Sequence, residues 1–103
     1  MIRRAFTMKI KPGTEKEYKL RHDEIWPEMA KTLKKAGISN YSIFLKDDLT
    51  LFAYMELEDL EKQRTLSKNP TVRKWWDYMA DIMEVNPDNS PVTIDLKQVF
   101  FLE

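Results

Sequence analysis

Four stretches of the chain have the apolar content expected of β-strands. From Ile2 to Ile10 the apolar residues fall at even positions, which is the period of a half-buried strand. Two further runs, Ile38 to Leu45 and Leu49 to Leu57, flank the short polar turn Lys46 to Asp48 and predict an antiparallel hairpin. The last strand is predicted from Leu96 to Leu102.

A long amphipathic helix is predicted between the first two strands. Thr14, followed three residues later by Glu17, has the form of a capping box that begins a helix. Pro27 should kink this helix or split it in two, and Gly37 is suited to the position just after its end. Its apolar stripe, at spacings of three and four, consists of Tyr18, His22, Ile25, Trp26, Met29, Leu33 and Ala36.

A second helical region lies between the hairpin and the last strand. Asp59 is suited to cap a polar helix that runs to about Asn69, and Pro70 begins a second helical stretch. The stretch Asn86 to Pro91 then predicts a rigid polar loop. The stripe of the second helix consists of Val72, Trp75, Trp76, Met79 and Met83.

The element order is therefore β-α-β-β-α-β, which is the ferredoxin-like arrangement of the α+β class. It predicts one domain over residues 1–103, with a four-stranded antiparallel sheet and helices on one face. Both phases of the third strand are apolar, with Leu51, Ala53 and Met55 alternating with Phe52 and Tyr54. Because the uncovered face would then also be apolar, we expect a homodimer that packs sheet against sheet.

Composition removes several classes of function. Seventeen basic and seventeen acidic residues are interleaved, so no surface field favours nucleic acid. With only Gly13 and Gly37, neither a dinucleotide fingerprint nor a P-loop can be formed, and we expect no nucleotide cofactor. One histidine and no cysteine leave only oxygen ligands, without calcium-loop spacing, so we expect no metal.

Composition also bears on location. The longest apolar run, Leu51 to Met55, is far shorter than the roughly 18 residues that cross a bilayer, so we expect no membrane segment. The basic start of the chain lacks the apolar run of a secretory signal, and the absence of cysteine fits a reducing compartment. We therefore expect a cytoplasmic protein.

His22 is the candidate for proton transfer, because histidine alone has an unperturbed pKa near neutrality. It lies in the apolar stripe of the first helix, one turn from Tyr18 and one turn from Trp26. The other interpretation is a packing histidine, and periodicity alone favours that one.

Four aromatic residues are candidates for ligand contacts. Trp75 and Trp76 point about 100° apart on a helix and can border one groove, where their faces could stack on the apolar C–H face of a sugar. Tyr18, close to His22, and Tyr41, on the second strand, each offer a ring and a hydroxyl. The other interpretation is core packing, and the pattern alone favours it for all four.

Five segments in this order resemble the L-rhamnose mutarotase family, over essentially the whole chain. The resemblance implies a dimeric ferredoxin-like α/β barrel that acts on L-rhamnose without a cofactor. It also implies that His22 is the proton donor and that Tyr18, Tyr41, Trp75 and Trp76 contact the sugar. The segments are Met1 to Phe6, Glu17 to Glu28, Asn40 to Ile43, Trp75 to Met79 and Asn86 to Pro91.

Two other functions remain open at this point. The same fold serves cofactor-free monooxygenases of the dimeric α/β-barrel type, which would consume oxygen with a quinol-like substrate and leave sugar anomers unchanged. A non-catalytic sugar-binding module would use His22 only as a hydrogen-bonding group. Such a module would bind the sugar without accelerating anomer exchange.

Overall fold

The predicted order of elements is confirmed in the computed structural model, which describes residues 1–103. Two short helices of 3₁₀ type, Thr65–Lys68 and Ala80–Ile82, each directly follow an α-helix. The remaining elements, in chain order, are β1 (Ile2–Lys9), α1 (Glu15–Asp23), α2 (Pro27–Lys35), β2 (Ile38–Leu45), β3 (Thr50–Leu57), α3 (Leu60–Arg64), α4 (Pro70–Met79) and β4 (Ile94–Leu96).

The four strands form one antiparallel sheet in the order β2-β3-β1-β4. β1 pairs with β3 along its whole length, from Ile2 opposite Leu57 to Lys9 opposite Thr50. At the even positions of β1, Phe6 and Met8 are buried, as the alternation predicted, whereas Ile2 at the start of the strand is 42% exposed. The helices therefore cover one face of the sheet, and the core lies between them.

The last strand is shorter than predicted and begins earlier. Only Ile94–Leu96 pairs with β1, and the residues from 97 to 102, where the strand was predicted, have no regular structure. Val99 is 89% exposed. A strand needs a hydrogen-bonded neighbour, and within one chain these residues have none, so their strand-forming composition has no effect.

β2 contains a β-bulge that changes which side of the strand faces the helices. Ser39 pairs with Glu56 and Ser42 pairs with Tyr54, so Asn40 and Tyr41 together lie opposite one residue of β3. Asn40 has a φ of 49°, in the left-handed region that asparagine tolerates. The extra residue moves Tyr41 to the helix-covered side of the sheet.

Pro27 divides the first helical region as predicted, because α1 ends at Asp23 and α2 begins at Pro27 itself. The predicted capping box is wrong: the Thr14 side chain accepts no cap hydrogen bond, and its hydroxyl donates to the Lys11 carbonyl at 2.7 Å. Gly37 follows α2 with a φ of +80°, and a Cβ there would lie 2.9 Å from the Glu58 Cβ. Glycine is therefore required at this turn.

The opposite face of the sheet carries large apolar side chains that nothing in the chain covers. Phe44 is 68% exposed and Ile94 is 65% exposed, and Phe52 and Leu96 are exposed as well. Phe44 of β2 lies directly opposite Phe52 of β3.

No helix of the structure has the length and apolar content needed to cross a membrane.

Candidate active site

α1 presents Tyr18 and His22, one turn apart, toward the sheet. Tyr18 is the one buried residue of this helix. The two rings stack with centroids 4.2 Å apart and planes inclined by 26°. The spacing of four residues predicted this contact, because residues at i and i+4 lie above one another on a helix.

The imidazole of His22 is half-buried, and its Nδ1 lies 3.0 Å from the Tyr18 carbonyl oxygen. A carbonyl oxygen only accepts a hydrogen bond, so Nδ1 carries the proton that it donates. Burial lowers the pKa of His22 below its ordinary value, and the Tyr18 carbonyl and Asp23 oppose this only in part. His22 is therefore neutral at neutral pH.

α4 provides the second wall of the site. Asn69 caps this helix by accepting hydrogen bonds from the backbone N–H groups of Thr71 and Val72, at 2.9 and 3.3 Å. Trp75 is buried and meets His22 edge to face, with ring centroids 5.4 Å apart. Trp76 is half-buried and lies on the adjacent side of the helix.

Tyr41 reaches the site from β2 because of the bulge. The residue is 37% exposed, yet burial raises the pKa of its hydroxyl to about 12, with Arg4 opposing the shift. The hydroxyl end is thus the desolvated part of the side chain. Burial also raises the pKa of Tyr18, and the proximity of Tyr41 adds to that shift. Both phenols are protonated at neutral pH.

One cavity of about 1240 Å³ contains all five residues predicted for the site: His22, Tyr18, Tyr41, Trp75 and Trp76. Its volume exceeds the roughly 300–1,000 Å³ of common ligand pockets, so a small ligand would fill only part of it. Its wall combines apolar and aromatic side chains with polar ones that come from several elements.

Sequence reasoning missed two contributions to the cavity wall. Arg4 of β1 lines it beside Tyr41, while forming an ion pair with Asp95 at 2.8 Å. Asn86, Asn89 and Ser90 line it from the loop after α4, which was predicted only as a rigid connection. The alternation of β1 placed Arg4 on the covered side, and that signal could have identified it.

Arg21 was also missed, although it fixes α1 to the end of α4. Its guanidinium donates to the Tyr78 carbonyl at 2.8 Å and to both Asp81 carboxylate oxygens at 2.8 and 3.2 Å. Glu17, one turn earlier on α1, accepts a further hydrogen bond at 2.7 Å. The Arg21 side chain is only 11% exposed. The only sequence signal for it was the Glu17–Arg21 spacing.

The structure contains no group of three or more His, Cys, Asp or Glu residues placed to hold a metal ion. The groups at the cavity include one imidazole, two phenols and the aromatic walls. These groups can transfer a proton, orient hydroxyl groups and stack against an apolar ring face.

Comparison with known proteins gives one consistent family. The pattern of the L-rhamnose mutarotase family matches residues 3–102. An L-rhamnose mutarotase of Tolumonas auensis is 53% identical over 103 residues, covering 99% of both chains. One of Phocaeicola vulgatus is 55% identical over 104 residues, covering 100% of both.

Two solved structures agree with the observed fold. The crystal structure of an L-rhamnose mutarotase from Formosa agariphila superimposes with a TM-score of 0.92 at 49% identity, covering all of both chains. A putative antibiotic biosynthesis monooxygenase from Nitrosomonas europaea gives a TM-score of 0.64 at 11% identity, covering 95% of this chain and 89% of that one. The second likeness concerns the fold alone.

Proposed function

The chain belongs to the L-rhamnose mutarotase family, and we propose that its aromatic cavity is where it interconverts the α and β anomers of L-rhamnose. One observation carries the proposal of the site. A half-buried, neutral imidazole lies among two tyrosines and two tryptophans in a single cavity, and these are the five residues that the family resemblance implies.

The aromatic residues would hold the sugar. Trp75 and Trp76 offer faces that suit the apolar C–H side of a pyranose, and a 6-deoxy sugar adds a methyl group to that side. Tyr18 and Tyr41 keep their protons at neutral pH, so each hydroxyl can donate to one sugar oxygen and accept from another.

The reaction needs two proton transfers and no group transfer. The C1 hydroxyl loses its proton, the bond between C1 and the ring oxygen breaks, and the ring oxygen gains a proton. The open aldehyde then turns about its bond to C2 and closes on its other face. Because sugars exchange anomers unaided in water, one positioned acid/base, worth roughly 10²- to 10⁴-fold, meets the need. We assign that role to His22.

The uncovered apolar face supports a homodimer that packs sheet against sheet. Four large side chains, Phe44, Phe52, Ile94 and Leu96, are exposed on it. Exposed large apolar side chains on one face of a sheet are typical of an interaction surface. Sedimentation of the purified protein should give twice the chain mass, and Phe44→Glu should shift it toward a monomer; a monomeric wild-type protein would contradict the proposal.

The proposed location is the cytoplasm. The proposal rests on the absence of cysteine, the absence of an apolar run that could cross a bilayer, and the substrate class of the family. Fractionation of cells that express the protein should recover it with cytoplasmic markers.

Magnetisation-transfer NMR of L-rhamnose tests the proposed activity directly. The wild-type protein should accelerate exchange between the two anomeric signals, and His22→Ala should remove most of that acceleration. Leu20→Ala is the matched control, because Leu20 lies on the same helix, is exposed and does not line the cavity. Binding without acceleration would instead identify a sugar-binding module.

A further inference from the structure

We infer that His22 begins the reaction as a base through Nε2 and then returns the proton to the ring oxygen, so that one histidine performs both proton transfers. The inference rests on the proposed function and adds the order of its steps. It also removes the need for a second acid/base group.

The tautomer of His22 supports the first step. Since Nδ1–H donates to the Tyr18 carbonyl, the neutral ring carries its lone pair on Nε2. This is the only hydrogen bond of the imidazole in the structure. No buried side-chain nitrogen or oxygen lacks a partner, so Nε2, which has none, must be accessible. Nε2 is the imidazole nitrogen left free to reach a substrate in the cavity.

The surroundings of His22 favour the neutral ring over the imidazolium. No carboxylate hydrogen-bonds the imidazole, unlike a histidine held by an acidic partner. Among titratable or charged groups, Tyr18 and Asp23 lie on its own helix, and Arg4 of β1 and Tyr41 of β2 share the cavity. Tyr78 of α4 contacts Trp75, with ring centroids 5.6 Å apart. The other charged residues of the cavity lining are Glu15, Lys16, Lys19, Lys34 and Arg64. A neutral ring can accept a proton at once, but it has none on Nε2 to donate.

Alternative bases at the cavity are poorly suited. Burial raises the pKa of both Tyr18 and Tyr41, so neither phenol is ionised near neutrality. Glu15 and Asp23 are the carboxylates that line the cavity, and both residues are exposed. The Asp23 carboxylate also accepts a hydrogen bond from Lys19 at 2.8 Å. Arg4 carries no lone pair that could accept a proton.

The second step follows from the geometry of the substrate. The C1 hydroxyl oxygen and the ring oxygen are bonded to the same carbon, so one nitrogen placed beside C1 is near both. Nε2 takes the hydroxyl proton, the bond between C1 and the ring oxygen breaks, and the imidazolium gives its proton to the departing ring oxygen. His22 is neutral before and after, and the proton count balances.

The chain has one histidine, so nitrogen-15 NMR of labelled protein reports His22 without assignment. The expected result is a pyrrole-type Nδ1 and a pyridine-type Nε2 at pH 7.5. The anomer exchange rate should rise with pH through the His22 pKa, which is below 6.5, and then stay level to about pH 9. A resting Nε2–H tautomer, or a rate that falls as pH rises through that pKa, would overturn the inference.

Two variants test whether a second group shares the work. Asp23→Asn and Glu15→Gln, at the two carboxylates that line the cavity, should keep kcat, measured at saturating L-rhamnose, far above that of His22→Ala. A loss of about a hundredfold or more in either kcat would identify a second acid/base and overturn the single-histidine scheme. Failure of the proposed function gives a different result, because the wild-type protein would then accelerate exchange at no pH.

Discussion

The two helices that form the site are attached to the molecule by different forces. α4, which carries the tryptophans, buries Val72, Trp75 and Met79 against the sheet. α1, which carries His22, buries only Tyr18 and is fixed by the hydrogen bonds of Arg21. The wall that would hold the sugar thus depends on apolar packing, whereas the position of the acid/base depends on directional polar contacts. Changes to the two helices should therefore affect stability and catalysis in different proportions.

The largest effect on stability is expected at the apolar anchor of α4. Met79 is 2% exposed, and Met79→Ala should lower the free energy of unfolding by about 2–5 kcal/mol, through lost burial and the cavity left behind. The folded fraction should keep most of its kcat. Urea denaturation measures the loss, with Leu20→Ala as the exposed control; a loss below about 1 kcal/mol would contradict the assignment of α4 as the packed helix.

Arg21→Met should affect catalysis more than stability, the reverse of Met79→Ala. Loss of charged hydrogen bonds should cost about 1–3 kcal/mol in stability, and kcat should fall about tenfold to a hundredfold because α1 and His22 lose their fixed position. Arg21 does not line the cavity, so KM should change little.

Arg21→Lys restores the charge without the planar fork and should recover only part of the rate. Nitrogen-15 NMR of His22 in these variants separates positioning from general destabilisation, since a displaced ring changes its hydrogen bond to Tyr18. Unchanged kcat in Arg21→Met would show that packing alone positions α1.

The two helix starts allow a matched comparison of smaller effects. Asn69→Ala removes the side-chain cap of α4 and should cost about 0.5–2 kcal/mol. Thr14→Ala removes no cap from α1, only an exposed hydrogen bond to the Lys11 carbonyl, and should cost about 0.5 kcal/mol. Equal losses in thermal or urea unfolding would show that Thr14 does cap α1 in solution.

The smallest expected effect is the dependence of the free energy of unfolding on pH. Folding lowers the pKa of His22, so the unfolded chain binds more protons than the folded one as pH falls below 6.5. Stability should be full above pH 6.5 and decline as pH falls through the folded pKa. His22→Gln should remove this slope between pH 5 and 7, because the lowered pKa values of the Asp81 and Asp88 carboxyls act at lower pH. An unchanged slope in His22→Gln unfolding curves would count against a buried neutral imidazole.

Much of this architecture could be predicted because local signals and tertiary packing agree. Pro27 and Pro70 begin helices where their rings fit, Asp59 accepts from the Glu61 N–H, and Gly37 adopts the positive φ that ends α2. The same agreement placed Tyr18 and His22 in contact.

The misses occurred where the outcome depends on distant partners. The apolar residues from 97 to 102 have strand composition but no neighbouring strand in the chain. The Thr14 hydroxyl could cap α1 or donate to the Lys11 carbonyl, and only the conformation of the turn decides between these two partners. Arg21 found its acceptors 57 and 60 residues away, at Tyr78 and Asp81, which no local pattern reveals.

The bulge in β2 makes the direction of Tyr41 depend on strand pairing rather than on residue type. Counted from Ile38 without a bulge, regular alternation would turn Tyr41 to the open face of the sheet. Deleting Asn40 would remove the extra residue and place Tyr41 directly after Ser39, so Tyr41 would lie opposite Met55 in a regular strand and still face the cavity. The wall that Tyr41 forms therefore tolerates loss of the bulged residue but not a flattening of the bulge with that residue kept.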